Sequence, residues 1–397
     1  MNHSEPSRDA ALDAFRTIYE ARGSLTGGPG KRIGYVSFNV PVELIEAAGC
    51  LPVRLTGLPL ESTPRADRYL DPCFDGRTRS LMEQFLRGDF ASLDLVIISR
   101  TSENTLQLYY FLLEIGRLEP EAPIPPVYLF DLLQTPYRAS ARYVRDQIDR
   151  LKARIETLTQ QSIDDTAVAD AIRLSNQHLD RFDELAALRH AVPARLTGEA
   201  ALHIVGSLGR VPRARHVELL GQVLNDTDSA ATLCGPRVIV KGSAHENADL
   251  YRYVEQCGAV IVEDEHLTGS MALGGKFDAA LPPLDALAHR YRLHSPSLRR
   301  YPQASDDDRF IDTVQRAQAD GVIFCYEDTD DVLGWDYPDQ KARLDRLNLS
   351  SLRLLNQSYR EPTDAGTLAR VAEFIEGLRQ PFRHTDIQSG TPAGAAR

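Results

Sequence analysis

Cysteine is scarce in this sequence and is never paired in a short motif. The chain of 397 residues holds five cysteines, which are Cys50, Cys73, Cys234, Cys257 and Cys325, and no two of them form a CxxC pair. This wide scatter argues against disulfide bonds. It also excludes an iron or zinc site that is built from local spacing alone.

The sequence also lacks long apolar runs and the common nucleotide-binding or nucleophile motifs. Its start, MNHSEPSRDA, has no apolar core of a signal peptide, and no apolar run reaches bilayer length, which predicts a cytoplasmic protein without a membrane partner. Neither GxGxxG nor GxSxG occurs. A positive charge excess is absent as well: the net charge of -11 argues against nucleic acid as a partner but allows a local basic pocket.

What is present is an ordinary globular composition with alternating strand and helix patterns. Apolar residues make up 43% and charged residues 25% of a chain long enough for two or three domains. Short β-branched or aromatic runs predict strands at 33–38, 52–55, 95–99 and 127–130, and again at 238–240, 258–262, 321–326 and 352–355. Between these two groups, residues 136–228 show only helical patterns, at 137–158, 163–189 and 217–224. Strands that alternate with helices predict parallel sheets with right-handed crossovers.

The fold class that follows is α/β: two Rossmann-like parallel-sheet domains joined by a helical segment, with a cleft between them. The predicted divisions are an N-terminal helical extension at 1–30, a first α/β domain at 31–135, a helical linker layer at 136–236, a second α/β domain at 237–380 and a flexible tail at 381–397. Ligands of open parallel sheets bind beyond the carboxyl ends of the strands. The candidate residues are therefore sought in the loops that follow strands.

The first candidate loop follows the first predicted strand. Ser37 and Asn39 lie in this loop, and the helix that it enters carries Glu43. Because amide groups at a helix start converge on an anion or a carbonyl oxygen, Ser37 and Glu43 are candidate catalytic residues and Asn39 a candidate substrate ligand. The competing interpretation, which spacing alone favours, is a plain strand-to-helix turn with Asn39 near the cap position.

Two further loops of the first block are rich in polar residues. Cys73 precedes a helix, where the helix dipole favours a thiolate, and Arg77 and Arg79 are candidate ligands for an acid or a phosphate. A capped helix start with solvated arginines is an equal alternative. After the third strand, Ser102 is a candidate substrate contact, although a helix cap with Thr105 behind it, without the usual capping-box acid, is slightly favoured.

The second block offers three more polar loops. Ser243 lies in the turn KGS, which is no Walker loop, and is a candidate substrate contact. His266 stands beside two acids and is a candidate for acid/base catalysis, with a surface acidic turn around a satisfied histidine as an equal alternative. Residues 327–331 hold four carboxylates, but their spacing is not that of an EF-hand, so an acidic turn is favoured over a cation site.

The order of these segments resembles the 2-hydroxyacyl-CoA dehydratase and benzoyl-CoA reductase family. The stretch PVELIEAAGCLPVRL at 41–55 is similar to the opening of that family, and CGAVIVEDE at 257–265 is similar to a later strand and turn. Weaker matches in the right order are DLVII, AIRLSN, LAALR, VKGS and ADGVI. Together they cover roughly residues 33–380.

The resemblance implies a concrete chemistry. Members are heterodimers of related subunits that hold a [4Fe-4S] cluster between Rossmann-like halves and act on an acyl-CoA thioester, and an ATP-dependent activator protein supplies the electron. The cluster cysteines lie in three loops, of which Cys73 occupies the first. The second position falls on threonine or serine at 100–103 and the third near 328–331, while Cys325 lies earlier, within the predicted strand.

One thiolate cannot hold a cubane cluster, which needs three or four. The resemblance therefore predicts either a cluster-free subunit, which we favour, or a cluster held by a partner chain, with a homodimer as the remaining assembly. Three hypotheses follow: an enzymatic subunit beside a cluster-bearing partner, a binding or scaffolding subunit without redox activity, and non-redox acid/base chemistry on a thioester through His266. Whether the chain is itself an enzyme stays open.

Overall fold

The strands of this chain form two parallel sheets. The computed structural model describes residues 7–23, 25, 30–225, 227, 231–245, 247–297, 301–330, 332–361 and 363–379. Within them the strands are β1 (Arg32–Val36), β2 (Leu51–Leu55), β3 (Leu95–Ser99), β4 (Val127–Phe130), β5 (Arg237–Gly242), β6 (Val260–Glu265), β7 (Gly321–Glu327) and β8 (Ser350–Gln357). Every neighbouring pair of these strands is parallel. The predicted fold class is confirmed.

Helices cover both sheets and fill the space between them. They are α1 (Arg8–Glu20), α2 (Val42–Ala47), α3 (Gly76–Arg87), α4 (Glu103–Leu118), α5 (Arg138–Thr159), α6 (Asp165–His190), α7 (Gly198–Gly206), α8 (Arg213–Leu224), α9 (Asp249–Gln256), α10 (Pro283–Leu293), α11 (Gln303–Arg316), α12 (Tyr337–Arg346) and α13 (Ala365–Arg379). Because helices lie on both faces, a central strand such as β3 is apolar and buried at every position. No described helix is both long and apolar enough to cross a bilayer.

Each sheet carries its first strand in the interior. The strand orders are β2-β1-β3-β4 and β6-β5-β7-β8. The chain therefore moves from β1 to one edge and returns to the other side of β1, and it repeats this path around β5. Such a reversal opens a crevice at the carboxyl ends of the two strands where it occurs, here beside Ser37 in the first sheet and Ser243 in the second.

The predicted strands are all confirmed, with ends shifted by a few residues, and the predicted helical middle holds no strand among its described residues. Two helices were not predicted. In α7 nearly every residue is buried, so its sequence shows no amphipathic period, and α10 buries an arginine among its core residues. The tail predicted at 381–397 lies outside the described residues.

Long-range packing joins segments that the predicted domain divisions separate. The helix α10 belongs by sequence to the second block, yet it packs against α5 and α6, and the hydroxyl of Tyr291 donates to the carbonyl of Val40 at 2.9 Å. At the other end of the chain, α1 packs against α7 and α8 in the helical layer. The divisions stay a prediction, but these contacts join a helix of the second block and the N-terminal helix to the helical layer.

Candidate functional site

The loop with Cys73 lies next to the start of α4. Cys73 is exposed, and the carboxylate of Asp75 caps α3 by accepting from the backbone N–H of Thr78 at 2.6 Å. The side-chain amide of Asn104 donates to the same carboxylate. One aspartate thus ties the loop after β2 to the helix after β3, across the end of β1, which lies between these two strands.

The two candidate arginines of α3, Arg77 and Arg79, are already in contact with protein groups. Arg79 donates to Asp67 at 2.5 Å and to the carbonyl of Asp71 at 2.5 Å, and its side chain is 14% exposed. Arg77 is half-buried and packs beside Gly57. The prediction that both arginines bind substrate is untested, and the structure places both near Cys73.

Ser102 caps α4, as the sequence favoured. Its hydroxyl accepts from the backbone N–H of Thr105 at 3.2 Å, and the Thr105 hydroxyl accepts from the backbone N–H of Ser102 at 3.0 Å. This reciprocal pair is a capping box in which threonine replaces the usual acid. Ser102 is exposed at the sheet edge, so capping leaves it open to a ligand as well.

In the second sheet, Ser243 joins the two strands of the crevice. Its hydroxyl donates to Asp330 at 2.6 Å and accepts from the backbone N–H of Glu327 at 3.0 Å. Ser243 follows β5, whereas Glu327 ends β7. One carboxylate of the predicted acidic loop, that of Asp330, therefore belongs to this serine-centred turn, to which Glu327 contributes its backbone N–H.

A polar cavity of about 160 Å³ opens at these strand ends. We call it the strand-end cavity, and its walls include Ser243, His245, Leu250, Cys325, Glu327, Asn356, Gln357, Ser358, Tyr359 and Asp364. The described residues around it include three acids, Glu327, Glu361 and Asp364, and no lysine or arginine. The cavity therefore suits an uncharged polar group better than a phosphate.

Tyr359 connects this cavity with the first sheet. It follows β8, is 7% exposed, and packs against Gly57 and Gly76, where added Cβ atoms would lie 2.3 and 2.4 Å from its atoms. Gly57 follows β2, and Gly76 begins α3. The carboxyl ends of the two sheets therefore meet across Tyr359, a few residues from Cys73.

His266 lies behind this cavity in a buried network. Its ring is bonded to the hydroxyl of Tyr251 at 2.5 Å and to the hydroxyl of Thr268 at 3.1 Å, and it is fully buried. The ring of His245, which lines the strand-end cavity, stands edge-on to it with centroids 4.9 Å apart. Burial lowers the pKa of His245 to about 3, so this imidazole is neutral.

Arg189 and Asp264 belong to the same buried network as His266. Their side chains form an ion pair at 2.9 Å with exposures of 5% and 0%. Burial by itself raises the pKa of Asp264, but the charge of Arg189, together with His266 and the hydrogen bonds from Arg189 and the backbone N–H of Ser270, holds this pKa below its ordinary value. The acidic turn around His266 is thus internal and salt-bridged, and not a surface turn.

Glu43 is buried at the start of α2 rather than open to the cleft. Its carboxylate accepts from Ser175 at 2.7 Å, from Arg213 at 3.1 Å and from the hydroxyl of Tyr291 at 2.8 Å. Burial alone would raise the pKa of Glu43, yet Arg213 and Arg290 together hold it below its ordinary value. This glutamate therefore stays ionised inside the protein.

Ser37 and Asn39 are buried at the crevice of the first sheet. Ser37 has a φ of 76°, a left-handed backbone that serine rarely adopts, and the cap position of α2 falls on Pro41, without a side-chain cap. The Oδ1 atom of Asn39 and the hydroxyl of Ser99, at the end of β3, are buried and lack a hydrogen-bond partner among the described residues. Asn39 is thus free to accept a hydrogen bond at this crevice.

The structure brings together the edge residues Cys73, Arg77, Arg79 and Ser102, and it joins their loops to that of Ser243 through Tyr359. It encloses His266 and Glu43 in separate networks. Sequence reasoning did not single out Tyr359 or His245. Their only local signals are an aromatic and an imidazole in turns, which are typical of any protein surface.

The donor set does not fit a [4Fe-4S] cluster held by this chain alone. Such a cluster needs three or four thiolates. Among the described residues no group of three or more histidines, cysteines or acids is arranged to bind a metal. Cys73 is exposed, whereas Cys325 is buried in β7, where burial raises the pKa of its thiol to about 12. The role of Cys73 as a metal ligand stays a prediction.

Comparison with known proteins places this architecture in one family. The family model of the 2-hydroxyglutaryl-CoA dehydratase D-component matches residues 37–378. The (R)-phenyllactyl-CoA dehydratase beta subunit of Clostridium sporogenes is 22% identical over 78% of this chain and 82% of its own length. The (R)-2-hydroxyglutaryl-CoA dehydratase beta subunit of Acidaminococcus fermentans is 21% identical over 91% and 94% of the two chains.

A third relative comes from a reductase. The C subunit of benzoyl-CoA reductase from Thauera aromatica is 24% identical over 74% of this chain and 77% of its own length. The match to the family model starts directly after β1 and includes the other seven described strands and the helices between the two sheets. The chain therefore belongs to the 2-hydroxyglutaryl-CoA dehydratase D-component family.

Proposed function

We propose that this protein is a subunit that handles an acyl-CoA thioester beside a related, cluster-bearing subunit of a dehydratase- or reductase-type enzyme. Family membership supports the substrate class, since the relatives are named as subunits of enzymes for CoA thioesters. The observation that carries the proposal is the junction at Tyr359, where the carboxyl ends of both sheets and a polar cavity meet. A long, jointed ligand such as CoA fits such a junction.

The charges suggest how the thioester lies. The strand-end cavity is lined by acids, so it disfavours phosphate and suits the uncharged, amide-bearing part of CoA. The phosphates then belong on the first sheet, at Arg77 and Arg79. Asn39, Ser102 and Ser243 are the proposed hydrogen-bonding contacts along the crevice.

Ser37, Glu43 and His266 stay the proposed catalytic residues. Glu43 and His266 are enclosed by their hydrogen-bond partners, so a direct role for either needs a state in which those partners separate. His266→Ala, tested in the assembled enzyme, separates the hypotheses. If the variant loses turnover but still binds the thioester, this result supports acid/base catalysis by His266. Unchanged turnover would contradict that role.

The donor set favours a partner-held cluster over one in this chain. Cys73 alone retains a ligand position of the family pattern, so iron chemistry is assigned to the related subunit, with an ATP-dependent activator protein as electron source. A cluster-free acyl-CoA-binding or scaffolding subunit without redox activity is the second candidate. Cys73 is exposed and is the single cysteine at a family ligand position, and this observation supports the cluster-free subunit as well as it supports the partner-held cluster.

Anaerobic purification of the chain, alone and co-expressed with the products of neighbouring genes, tests these proposals. We expect iron and acid-labile sulfide in the complex, none in the lone chain, and thioester binding to both. Four irons per isolated chain would contradict the partner-held cluster. A colourless protein that purifies without a partner and does not bind CoA thioesters would contradict the proposed function itself. A complex that binds the thioester but does not turn it over would favour the scaffolding subunit.

A further inference from the structure

The one tryptophan of this chain is exposed at the carboxyl edge of the second sheet. Trp335 lies in the loop between β7 and α12 and is 80% exposed, and Val332 in the same loop is 45% exposed. The indole makes no hydrogen bond, ring contact or cation contact with a described residue. We call residues 332–336 the tryptophan loop. Because single exposed apolar side chains are common, exposure alone does not mark a site.

The tryptophan loop is held in place on both sides of the ring. The carboxylate of Asp330 accepts from the backbone N–H groups of Val332 and Leu333 at 3.1 and 2.8 Å. On the other side, Tyr337 packs edge-on against a buried phenylalanine of β7, with ring centroids 4.9 Å apart. Trp335 is therefore presented by a fixed turn. A preformed turn loses little conformational freedom when a partner binds to it.

The sequence around the ring is acidic. Residues 327–340, EDTDDVLGWDYPDQ, hold six acids and no lysine or arginine. Asp328 and Asp339 are exposed, and neither carboxylate forms a hydrogen bond or an ion pair with a described residue. These two carboxylates are therefore available to cations of another molecule.

The cations near the loop do not balance these acids. Arg353 approaches from β8, where its guanidinium lies 4.5 Å from the centre of a tyrosine ring of α12, and it offsets a single charge. The next cations along the chain are Lys341 and Arg343, and they pair with Asp345 and Asp308. The surface around Trp335 therefore stays negative.

These charges disfavour several kinds of ligand. A second copy of this chain would bring the same acids face to face, and a phosphate group would meet the same repulsion. A small cation that binds in an aromatic cage needs several rings, whereas Trp335 has no ring contact among the described residues. A protein surface with arginine or lysine fits both features, because the acids attract it and the face of an indole binds a cation.

We propose that the tryptophan loop is a docking site for the related subunit, which presents arginine or lysine side chains to Trp335 and to the flanking acids. This inference rests on the partner subunit of the proposed function. A partner that brings its cluster to the thioester has to approach the carboxyl edges of the sheets, and the loop after β7 lies on such an edge. The ring is the central contact, and Asp328 and Asp339 steer the partner from the rim.

The single tryptophan gives a direct test by fluorine NMR. Incorporation of fluorotryptophan gives the lone chain one signal. In the co-expressed complex with the related subunit, Trp335→Phe identifies the signal of this residue by its loss. We expect this signal to move on complex formation and to lose the difference between H2O and D2O that marks an exposed fluorine.

A complex in which this signal stays that of the lone chain overturns the docking site and leaves the proposed function intact. If no complex forms with the related subunit, the partner in the proposed function is wrong, and the docking site fails with it. The two failures are therefore distinguishable.

Trp335→Ala removes the ring from an exposed turn. It should leave the free energy of unfolding unchanged and raise the dissociation constant of the complex about tenfold or more. Leu118→Ala is the matched control, because Leu118 is 61% exposed at the end of α4, far from the carboxyl edge where this helix begins. Equal dissociation constants for the two variants would contradict the docking site.

Asp328→Asn tests the steering charge. It should slow association about twofold to fivefold at low salt, with little effect at high salt. Glu121→Gln removes the same charge at an exposed position after α4 and should leave association unchanged. Equal association rates for these two variants at low salt would contradict the role of the acids.

Discussion

The ring of Tyr359 occupies the space that a side chain on Gly76 would need: an added Cβ would lie 2.4 Å from Cβ of the tyrosine and 2.7 Å from its Cγ. Gly76 begins α3 of the first α/β unit, and Tyr359 follows the last strand of the second. Glycine at this position is therefore a requirement of contact between distant segments. The contact sets how closely the two carboxyl edges approach.

Gly76→Ala should loosen this contact. Its φ is not in the left-handed region, so alanine is acceptable to the backbone, and the cost arises only from overlap with Tyr359. We expect a loss of about 1–3 kcal/mol in the free energy of unfolding, measured by chemical denaturation. In the double variant Gly76→Ala, Tyr359→Gly, which also removes the Cβ of residue 359, the alanine at 76 should cost nothing further.

Gly116→Ala is the matched control for that substitution. Gly116 lies in α4 with nothing within 4 Å of its added Cβ, so alanine should stabilise by up to about 1 kcal/mol through helix propensity. Equal destabilisation by both alanines would show that the overlap with Tyr359 does not matter.

Arg189→Leu should be among the most harmful single changes. It would leave Asp264 buried at 0% exposure without its cation, and removal of one member of such a pair typically costs about 3–5 kcal/mol. Arg181→Leu, in the same helix, breaks an exposed pair with Glu184 and should cost less than about 1 kcal/mol. Similar unfolding free energies for the two variants would contradict the role of the buried pair.

Acid should destabilise the fold through His216. Burial lowers its pKa from 6.5 to about 4. Between pH 6.5 and pH 4, His216 therefore binds a proton in the unfolded state but not in the folded state. Stability therefore falls as pH decreases through this window, by about 3 kcal/mol from this group. Unfolding free energies measured across the window should fall less steeply in His216→Asn. His289→Asn, at a partly exposed site, should keep the full slope, and an unchanged slope in His216→Asn would refute the assignment.

Binding of a CoA thioester should depend on Arg77. If this arginine holds a phosphate, Arg77→Ala should raise the dissociation constant about tenfold or more, and the loss should shrink as salt concentration rises. Arg87→Ala lies in the same helix and pairs with Asp89, so it should leave the dissociation constant unchanged. Titration calorimetry with acetyl-CoA measures both, and equal effects of the two variants would remove Arg77 from the proposed site.

Much of the fold could be predicted because its strands are buried on both faces. Runs such as LVIIS in β3 are apolar at every position and stand between helical patterns, so their existence and order follow from local sequence. The short helix α7 escaped prediction for the same physical reason. Because it is buried nearly all round, it has no polar face to mark its period.

In the candidate site, too, some features follow from the local sequence and others do not. The polar loops after strands, with Cys73, Ser102 and Ser243, were determined by the sequence, since residues that follow parallel strands always gather at one sheet edge. Only the tertiary structure decided that Glu43 is enclosed by Arg213 and Tyr291, which lie more than a hundred residues away along the chain. It also decided the junction at Tyr359. Such contacts depend on how the sheets and helices pack in space, and no local pattern of residues records that.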